Sequence, residues 1–371
     1  MKFTEYVEVN PKTNLKKGEY APFVEMANVS ITYREPEKIE YKKYTSGPKF
    51  QNGDSVVARI EPCLQNGKRF FWKSDKIGFG STEYIVFRAK EGKMDSKYLF
   101  YLLKTDYIKK SMVSSMVGAT GRQRVNNDIF GQIEIVVPNI EKQKKIGRTL
   151  FLYDDLIENN QKQIKLLEEA AQRLYKEWFV DLRFPGHENT KIVDGVPEGW
   201  HRGTIGQIAE FKRGRTITKA QVKEGNVPVI AGGLEPAYYH NVANTKAPVI
   251  TISASGANAG FVRLYGVDVF ASDCSFVDGL GTESLFFVYE FLKESKVSID
   301  QLQKGSAQPH VYAKDINAMK ITIPEKEYLE RFDRYAKVYF NKIKTLQGQN
   351  ERLKTARDLL LPKLMSGEAE V

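Results

Sequence analysis

The sequence predicts an α+β fold: two mixed α/β modules separated by two long antiparallel helices that form a coiled coil, with a pseudo-twofold internal repeat. Three observations lead to this prediction. The chain has 371 residues, which suits about two domains. A segment of the first half recurs in the second half, and each copy contains a long stretch with apolar residues at helical spacing.

The internal repeat pairs residues 118–179 with residues 305–365. The offset is 187 positions as far as Ile129 and 186 positions from Ile133 onwards, so one residue is dropped between them. The stretches that precede the two copies show no comparable likeness. The chain therefore alternates a variable module with a shared segment, twice.

Each shared segment ends in a long predicted helix. From Glu141 to Phe179 the sequence lacks proline, and apolar residues recur at alternating spacings of four and three, which is typical of a coiled coil. The second copy repeats this pattern with a break at Arg357, and Pro362 is expected to end the helix at the preceding residue. The predicted division of the chain is a first module (1–140), a first long helix (141–180), a linker (181–200), a second module (201–325), and a second long helix with the C-terminal tail (326–371).

One asparagine interrupts each apolar stripe, Asn160 in the first helix and Asn350 in the second. A helix of about 36 residues spans about 54 Å, too long for one small module to cover, so each helix is the natural partner of the other. When the stripes are aligned antiparallel by their ends, the two asparagines face each other. We predict a buried polar pair that fixes the register; the alternative is that both lie at solvent-washed positions.

The modules contain short strand-like runs separated by Gly, Asn and Asp turns, together with short helical stretches. The predicted strands are Ser55–Ile60, Glu83–Phe87, Val249–Ile252 and Gly260–Leu264. The predicted helices are Ser96–Ser111 and Glu290–Gln303. Each module is therefore expected to mix helices and strands.

The composition limits the possible functions. A net charge of +10 and a pI of about 9.2 favour a polyanionic partner. Cys63 and Cys274 lie far apart and the four histidines lack metal-binding spacing, so neither a disulfide framework nor a metal site is expected. No apolar run approaches the roughly 20 residues of a membrane span and no signal peptide is evident, so we expect a cytoplasmic protein without membrane contact.

Motifs of nucleotide-dependent, hydrolytic and metal-dependent enzymes are missing from the sequence. It contains no GxxxxGK[ST] phosphate loop, no GxSxG and no HExxH. The Asn/Asp-Pro-Pro-aromatic tetrapeptide expected of an amino-methylating enzyme is also absent. We therefore expect no catalytic residues in this chain.

Several loops instead combine small residues with Arg, Lys, Asn and Ser, which suits contact with DNA phosphates and base edges. Loops of this composition are also ordinary turns, which is the alternative explanation. The candidate DNA-binding residues are Arg59, Asn66, Lys68, Arg69, Arg122, Arg124, Asn126, Lys212, Arg213, Arg215, Lys219, Ser255, Asn258 and His310.

Longer motifs are spread over nearly the whole chain. They are Asn52–Asp54, Ala58–Lys68, Gly78–Glu83, Phe184–Glu188, Asp194–Trp200, Val269–Ser275 and Leu359–Glu368. Taken together, these motifs resemble the DNA-specificity subunits of type I restriction-modification systems. One departure lies in the repeat, where Pro309-His310 replaces the Arg122-Gln123 of the first copy.

The resemblance implies two target-recognition domains, each reading one half of a split sequence in double-stranded DNA. It implies that the helices set the spacer and dock two modification subunits, which carry S-adenosylmethionine and methylate adenine. Restriction subunits that use ATP and Mg would complete the complex, and no cofactor is implied for this chain itself. The bases recognised and the spacer length do not follow from the resemblance.

Two other functions remain open at this point. The chain could be a stand-alone DNA-modifying or DNA-cleaving enzyme with an unfamiliar motif, which S-adenosylmethionine binding or cleavage by the purified chain would reveal. It could also be a scaffold whose modules bind something other than DNA. A steep salt dependence of DNA binding would argue against the scaffold.

Overall fold

The computed structural model describes residues 1–305 and 308–370. Two residues at the opening of the second repeat, Ser306 and Ala307, lie outside the described residues, as does Val371 at the end of the predicted tail.

The chain forms two compact units. Unit 1 comprises Met1–Gln161 and Gly348–Val371, and unit 2 comprises Lys162–Gln347. Each long helix therefore contributes residues to both units. These two units do not test the boundaries of modules, long helices and linker that were predicted from the sequence, and those boundaries stay predictions.

The α-helices of the described residues include five short ones and two long ones. They are α1 (Ser96–Leu102), α2 (Asp106–Ser114), α3 (Ile140–Tyr175), α4 (Leu285–Glu294), α5 (Lys296–Gln301), α6 (Ala313–Asn317) and α7 (Lys326–Ser366). A π-helical turn, Lys176–Val180, continues α3. Short 3-10 helices lie at Phe3–Glu5, Met26–Asn28, Asn127–Gly131, His187–Asn189, Ile205–Gln207, Lys219–Gln221 and Gly256–Asn258.

The strands are short. Those of unit 1 are β1 (Val7–Val9), β2 (Tyr20–Val24), β3 (Glu40–Lys43), β4 (Lys49–Phe50), β5 (Ser55–Ala58), β6 (Arg69–Phe71), β7 (Gly78–Gly80), β8 (Tyr84–Ala89), β9 (Met116–Val117) and β10 (Arg124–Val125). Those of unit 2 are β11 (Ile192–Val193), β12 (Val196–Pro197), β13 (His201–Thr204), β14 (Lys212–Arg213), β15 (Val227–Ile230), β16 (Tyr238–His240), β17 (Val249–Ser253), β18 (Val262–Tyr265), β19 (Phe270–Ala271), β20 (Cys274–Asp278) and β21 (Lys320–Ile323).

The main sheets of the two variable modules share one topology, and their outer sheets share three corresponding strands, although the module sequences show no likeness. Unit 1 has a main sheet of order β1-β8-β5-β6 and an outer sheet of order β3-β2-β7-β4. Unit 2 has a main sheet of order β14-β20-β17-β18 and an outer sheet of order β16-β15-β19. In each outer sheet one pair is parallel, β2 with β7 and β15 with β19. The duplication therefore extends beyond the shared segment to the modules.

The central strands of the main sheets are buried along their whole length. β5 has the sequence Ser-Val-Val-Ala and β17 the sequence Val-Ile-Thr-Ile-Ser, and every residue of both is buried. Strands that are covered on both faces are expected to form such near-continuous apolar runs. The predicted strands are therefore correct in place and type, although their ends differ from those observed.

Both predicted module helices are divided in two. The stretch predicted from Ser96 to Ser111 forms α1 and α2, because Thr105 between them has an extended backbone with φ −62° and ψ 146°. The stretch predicted from Glu290 belongs to α4, which already begins at Leu285, and α5 follows after Ser295.

The long helices pack antiparallel within each unit. In unit 1 the side-chain amide of Asn160 donates to Oδ1 of Asn350 at 2.9 Å, and both residues are buried, with 7% and 3% of their surface exposed. In unit 2, Trp178 at the end of the first helix packs against Phe332 near the start of the second. The two asparagines thus face each other, and the predicted fold class is confirmed.

The predicted break in the second stripe is occupied by an ion pair. Arg357 is buried in unit 1, and its guanidinium donates to the carboxylate of Asp154, which is also buried. The hydroxyl of Tyr101 donates to the other carboxylate oxygen of Asp154 at 2.5 Å. A buried charge needs such partners, because the free energy of removing an unpaired ion from water is on the order of several kcal/mol.

The prediction that Pro362 ends the second helix is wrong. Helix α7 continues to Ser366 with Pro362 inside it. Proline removes the hydrogen bond to the carbonyl of Asp358, but the next turn still buries Leu364 in the core of unit 1. Burial of a leucine side chain contributes roughly 1.5–3 kcal/mol, which offsets a cost of about 3 kcal/mol for proline.

The second copy of the repeat is one residue shorter than the first, and this deletion lies at a different position from the one predicted. In unit 1, Val117 pairs with Arg124, seven positions later. In unit 2, Lys304 forms the corresponding bridge with His310, six positions later. The second copy is therefore shorter within this loop, before Ile129 is reached, and His310 corresponds to Arg124. The loop begins with a glycine in both copies, Gly118 and Gly305. Counting from this glycine pairs His310 with Gln123, one position away from the residue that is structurally equivalent.

Candidate nucleic-acid interface

Two loops of unit 1 lie side by side and form what we call loop pair 1: the β5–β6 hairpin loop, residues 59–68, and the repeat loop, residues 118–124. Ile60 and Arg124 form an antiparallel bridge. The N–H of Glu61 donates to the carbonyl of Gln123 at 2.9 Å, and the N–H of Val125 donates to the carbonyl of Arg59 at 3.0 Å. The shared segment is therefore fastened to the variable module by backbone hydrogen bonds.

Two acidic side chains organise loop pair 1. Glu83 lies between β7 and β8, and its carboxylate accepts hydrogen bonds from Nε and Nη2 of Arg124 at 2.7–3.0 Å. Hydrogen bonding to Glu83 raises the pKa of Arg124. Glu61 accepts from the N–H of Gly121 at 3.2 Å. By contrast, Arg122 is exposed, and its guanidinium forms no hydrogen bond or ion pair with any described residue, so this group is available to a ligand.

The other candidates of unit 1 are placed differently from one another. Asn66 is exposed at the tip of the hairpin loop. Lys68 donates to the carbonyl of Met26 at 2.7 Å and Arg59 donates to the carbonyl of Val125 at 3.3 Å, so each has a partner within the unit. Asn126 is exposed, and its side chain accepts from the N–H of Asp128 at 3.0 Å, where it caps a 3-10 helix.

Arg69 does not belong to this surface. It is buried, and its guanidinium donates to the carbonyls of Leu103 at 2.6 Å and Gly67 at 3.2 Å. Burial lowers the pKa of Arg69 to about 10. Its sequence position beside Lys68 suggested an exposed basic pair, but Arg69 begins strand β6, and its side chain points into unit 1. We therefore remove Arg69 from the DNA-binding candidates.

Unit 2 has the corresponding arrangement, loop pair 2: residues 254–261 between β17 and β18, and the described residues of the repeat loop, 304–305 and 308–310. Ser255 and His310 form the bridge. The N–H of Gly256 donates to the carbonyl of Pro309 at 3.1 Å. The two loop pairs thus make the same backbone contacts between hairpin loop and repeat loop, although the hairpin loops differ in length and share little sequence beyond Gly67 and its counterpart Gly260.

An acidic residue occupies the same place in loop pair 2. The N–H of Ala254 donates to the carbonyl of Asp273 at 3.2 Å, just as the N–H of Arg59 donates to the carbonyl of Glu83 at 2.8 Å. The carboxylate of Asp273 accepts from the hydroxyl of Ser255 rather than from an arginine. Equivalent positions in the two units therefore carry different chemistry.

The remaining candidates of unit 2 lie around this site. The ring of His310 stacks on Tyr312 with a centroid distance of 6.1 Å, and Asn258 donates to the carbonyl of Gly232 at 3.4 Å. The N–H of Arg215 donates to the carbonyl of Ala271 at 2.9 Å, two residues before Asp273. A group of four basic residues with exposed side chains extends from this position: Lys212, Arg213, Arg215 and Lys219.

Sequence reasoning missed Glu61, Glu83 and Asp273, because it searched for cations that contact phosphate and bases. Glu83 ends one of the quoted motifs, but nothing local indicated that it would bind Arg124, 41 positions away. An ion pair over that distance in sequence depends on the topology of the module.

Within the described residues, neither a metal site nor a membrane-spanning helix is found. No group of three or more His, Cys, Asp and Glu side chains could hold a metal ion. In residues 1–305 and 308–370, no helix has the length and apolar content needed to span a membrane. Cys274 is buried, which raises the pKa of its thiol to about 12.

The chain matches the family model for the type I restriction modification DNA specificity domain twice, over residues 7–169 and 197–355. It is 28% identical over 301 residues to the type I restriction enzyme MjaIX specificity subunit of Methanocaldococcus jannaschii, covering 74% of this chain and 69% of the relative. It is 24% identical over 408 residues to the HindI specificity subunit of Haemophilus influenzae, covering 86% and 87%.

Among solved structures, the chain is similar to the crystal structure of the type I restriction-modification S subunit from M. genitalium. The TM-score is 0.64 at 18% identity, and the match covers 98% of this chain and 95% of the other. This likeness shows a shared fold.

Proposed function

Since the chain belongs to the family of type I restriction-modification DNA-specificity subunits, we propose that it reads a DNA sequence in two halves, one with each loop pair. Loop pair 1 would contact the first half-sequence and loop pair 2 the second. The helices would set the number of unspecified base pairs between them, and methyl transfer and cleavage would be performed by partner subunits.

The observation that carries this proposal is the repeated loop pair with unlike side chains. Both units present the same backbone arrangement of hairpin loop and repeat loop. Arg124 of unit 1 is equivalent in position to His310 of unit 2, and Glu83 of unit 1 is equivalent to Asp273 of unit 2. Base edges are distinguished by the hydrogen-bonding groups presented to them, so two such sites would select two different short sequences.

Exposed apolar side chains support a role for the helices in subunit docking. In unit 1, Leu152 and Leu156 on α3 and Leu359 on α7 are 52%, 51% and 64% exposed. In unit 2, Val338 on α7, which corresponds to Leu152 at the repeat offset of 186, is 65% exposed. A helix face in permanent contact with water is usually polar. We infer that two modification subunits bind these helices and that restriction subunits join them.

The cofactors belong to those partners in this account. S-adenosylmethionine would be bound by the modification subunits, and ATP with Mg would be bound by the restriction subunits. Accordingly, the purified chain alone should bind DNA but neither bind S-adenosylmethionine nor cleave DNA. Either activity in the isolated chain would instead favour a stand-alone enzyme.

The proposal is tested by genome-wide methylation mapping in a host that expresses the modification subunits with and without this chain. We expect methylated adenines at one motif with two defined parts and a spacer of constant length, and only when the chain is present. A contiguous motif, or a methylation pattern that does not depend on the chain, would contradict the proposal.

A further inference from the structure

A loop of the first module covers one face of the long helix in unit 1. This loop joins β2 to β3 (residues 25–39), and it buries the side chain of Arg34 against α3. The guanidinium carbon of Arg34 lies 4.3 Å from the ring centroid of Phe151. Its Nη2 donates to the carboxylates of Asp155 at 2.7 Å and Glu158 at 2.5 Å. The loop therefore supplies a cation to an acidic patch of the helix.

Two further contacts hold the same loop in place. The hydroxyl of Tyr33 donates to Oε1 of Gln161 at 2.9 Å. The N–H of Phe71 in β6, the edge strand of the main sheet, donates to the carbonyl of Arg34 at 3.0 Å. The loop thus binds unit 1 as a separate extended segment could, with a backbone hydrogen bond to a sheet edge and side chains against the helix.

The corresponding helix face of unit 2 is uncovered. At the repeat offset of 186, the four helix residues that contact the loop correspond to Lys337, Asn341, Lys344 and Gln347 of α7. Phe151 and Glu158 are buried, whereas their counterparts Lys337 and Lys344 are exposed. The difference in burial shows that no loop of unit 2 takes the place of residues 25–39.

The sheet edge beside this helix face corresponds to that of unit 1 as well. Leu264 in β18 pairs with Ile250 as Phe71 in β6 pairs with Ser55. Each of these partners lies four positions before the hairpin loop of its unit. The N–H of Leu264 therefore points away from β17, and in the part of the chain that the structure describes no loop accepts a hydrogen bond from it.

A cavity of about 670 Å³ occupies the place that the loop fills in unit 1. Leu264 and the four corresponding residues of α7 all line it. Loop length explains why the cavity is open: residues 231–237, which join β15 to β16, are seven residues against 15 in the loop of unit 1. The middle residue of the short loop, Leu234, stops at β18, where its carbonyl accepts from Arg263.

The cavity carries positive charge where unit 1 carries carboxylates. Asn341 replaces one carboxylate with an amide, Lys344 replaces the other with an ammonium group, and Lys337 adds a second cation. No hydrogen bond or ion pair joins either lysine to another described residue. The nearby carboxylate of Asp268 is paired with Lys246 at 2.9 Å.

The acidic residues of the lining already have partners. Asp333 caps helix α4, where its carboxylate accepts from two backbone N–H groups at 3.1 and 2.9 Å. Glu283 and Glu330 lie 3.8 and 3.5 Å from the ammonium group of Lys326. Glu168 on α3 lies near a lysine of α4. The unpaired charge at the cavity is thus positive, and a carboxylate complements it.

The cavity lies at the end of the main sheet that is remote from loop pair 2. Pro248, which lines it, precedes β17, whereas loop pair 2 begins where β17 ends, about 17 Å further on for a strand of five residues. Phe286 and Phe340 stack in the lining with a centroid distance of 4.9 Å, beside Ile343. An apolar lining next to a free sheet edge suits a polypeptide segment rather than a DNA backbone.

We propose that this cavity binds an extended segment of a protein partner, whose backbone pairs with the edge of β18 and whose acidic side chain accepts from Lys344 and Asn341. The mode of binding is that of Tyr33 and Arg34 in unit 1 with the charges exchanged. Gln347 is identical to its counterpart in unit 1, so a tyrosine beside the acidic residue would keep its acceptor. The inference requires no bound DNA and does not depend on the proposed function.

The chain itself supplies the probe. The peptide of residues 29–37 is the covering loop of unit 1, and its R34E form has the acidic side chain that the cavity requires. Binding of each fluorescently labelled peptide to the full-length chain is measured by anisotropy. We expect the R34E peptide to bind about tenfold more tightly than the unsubstituted one, because Lys344 attracts the carboxylate and repels the guanidinium.

Reversal of the cavity charge gives a matched pair of variants. K337E/K344E changes two exposed lysines of the lining, and the control K320E/K342E changes two exposed lysines outside it. The cavity variant should bind the unsubstituted peptide more tightly than the R34E peptide, whereas the control should keep the wild-type preference. Loss of folding cannot imitate a reversed preference, because an unfolded cavity would bind neither peptide.

Hydrogen exchange of the complex locates the bound peptide. Amides of residues 262–266 should exchange more slowly with the R34E peptide present, and those of β6 in unit 1 should be unchanged. No binding of the R34E peptide at millimolar concentration, equal binding of the two peptides, or an unaltered preference in K337E/K344E would overturn the inference. Displacement of the peptide by an unrelated DNA duplex would also overturn it, because the cavity would then bind phosphate.

Discussion

Replacing Asn350 with leucine should lower the local stability of the helix pair of unit 1, and the size of the loss follows from the hydrogen bonds of Asn160. The substitution removes the 2.9 Å hydrogen bond from Asn160 and leaves that amide with the side chain of Gln349 at 3.4 Å. Asn160 is buried, so an amide without a good partner costs about 1–3 kcal/mol. The double variant N160L/N350L removes both polar groups and should recover most of that loss.

Hydrogen exchange of the full chain, followed by mass spectrometry, measures this cost where it occurs. Amides of residues 150–161 and 348–361 should exchange about 5–150-fold faster in N350L, the factor that corresponds to 1–3 kcal/mol. Peptides from helix α4 in unit 2 should exchange at the wild-type rate. Unchanged exchange in N350L, or a double variant as loose as the single one, would refute a buried register-fixing pair.

Two further predictions concern the spacer and pH. Inserting four residues after Gln161 lengthens α3 by about 6 Å, so methylation mapping should show a changed spacer between unchanged half-sequences; an unchanged spacer would rule out a measuring role for the helix. Burial raises the pKa of Glu290 to about 8, so the folded state retains a proton that the unfolded chain releases near its usual pKa of 4.5, and stability falls as pH rises between these values. The gain in unfolding free energy of E290Q over wild type should therefore grow by roughly 1.4 kcal/mol per pH unit across that window and then level off, whereas the exposed-site control E294Q should show no such trend.

Features that depend on local periodicity could be predicted from the sequence. The spacing of apolar residues identified both long helices, and the position of one asparagine in each stripe identified their register, because two straight helices can pair in few ways. Even here, the buried ion pair of Arg357 with Asp154 was expected only as a break in the stripe. A charged residue at an apolar position of the stripe does not indicate which residue will pair with it.

Features that depend on contacts between distant residues could not be predicted. The shared topology of the modules rests on strand pairs such as β2 with β7, which join residues more than 50 positions apart. The same dependence explains Arg69, which has the composition of a DNA contact but lies buried against Leu103. It also explains the misplaced gap in the repeat, since only the bridges of Arg124 and His310 reveal which residues are equivalent.

The central claim is that each loop pair reads one half of the target, and single substitutions in the two repeat loops test it most directly. Methylation maps would be compared for R122Q in loop pair 1, H310Q in loop pair 2, and K110Q as a control outside both. We predict that R122Q relaxes only the first half-sequence and H310Q only the second, with the spacer constant and K110Q identical to wild type. Relaxation of both halves by either variant would contradict the account.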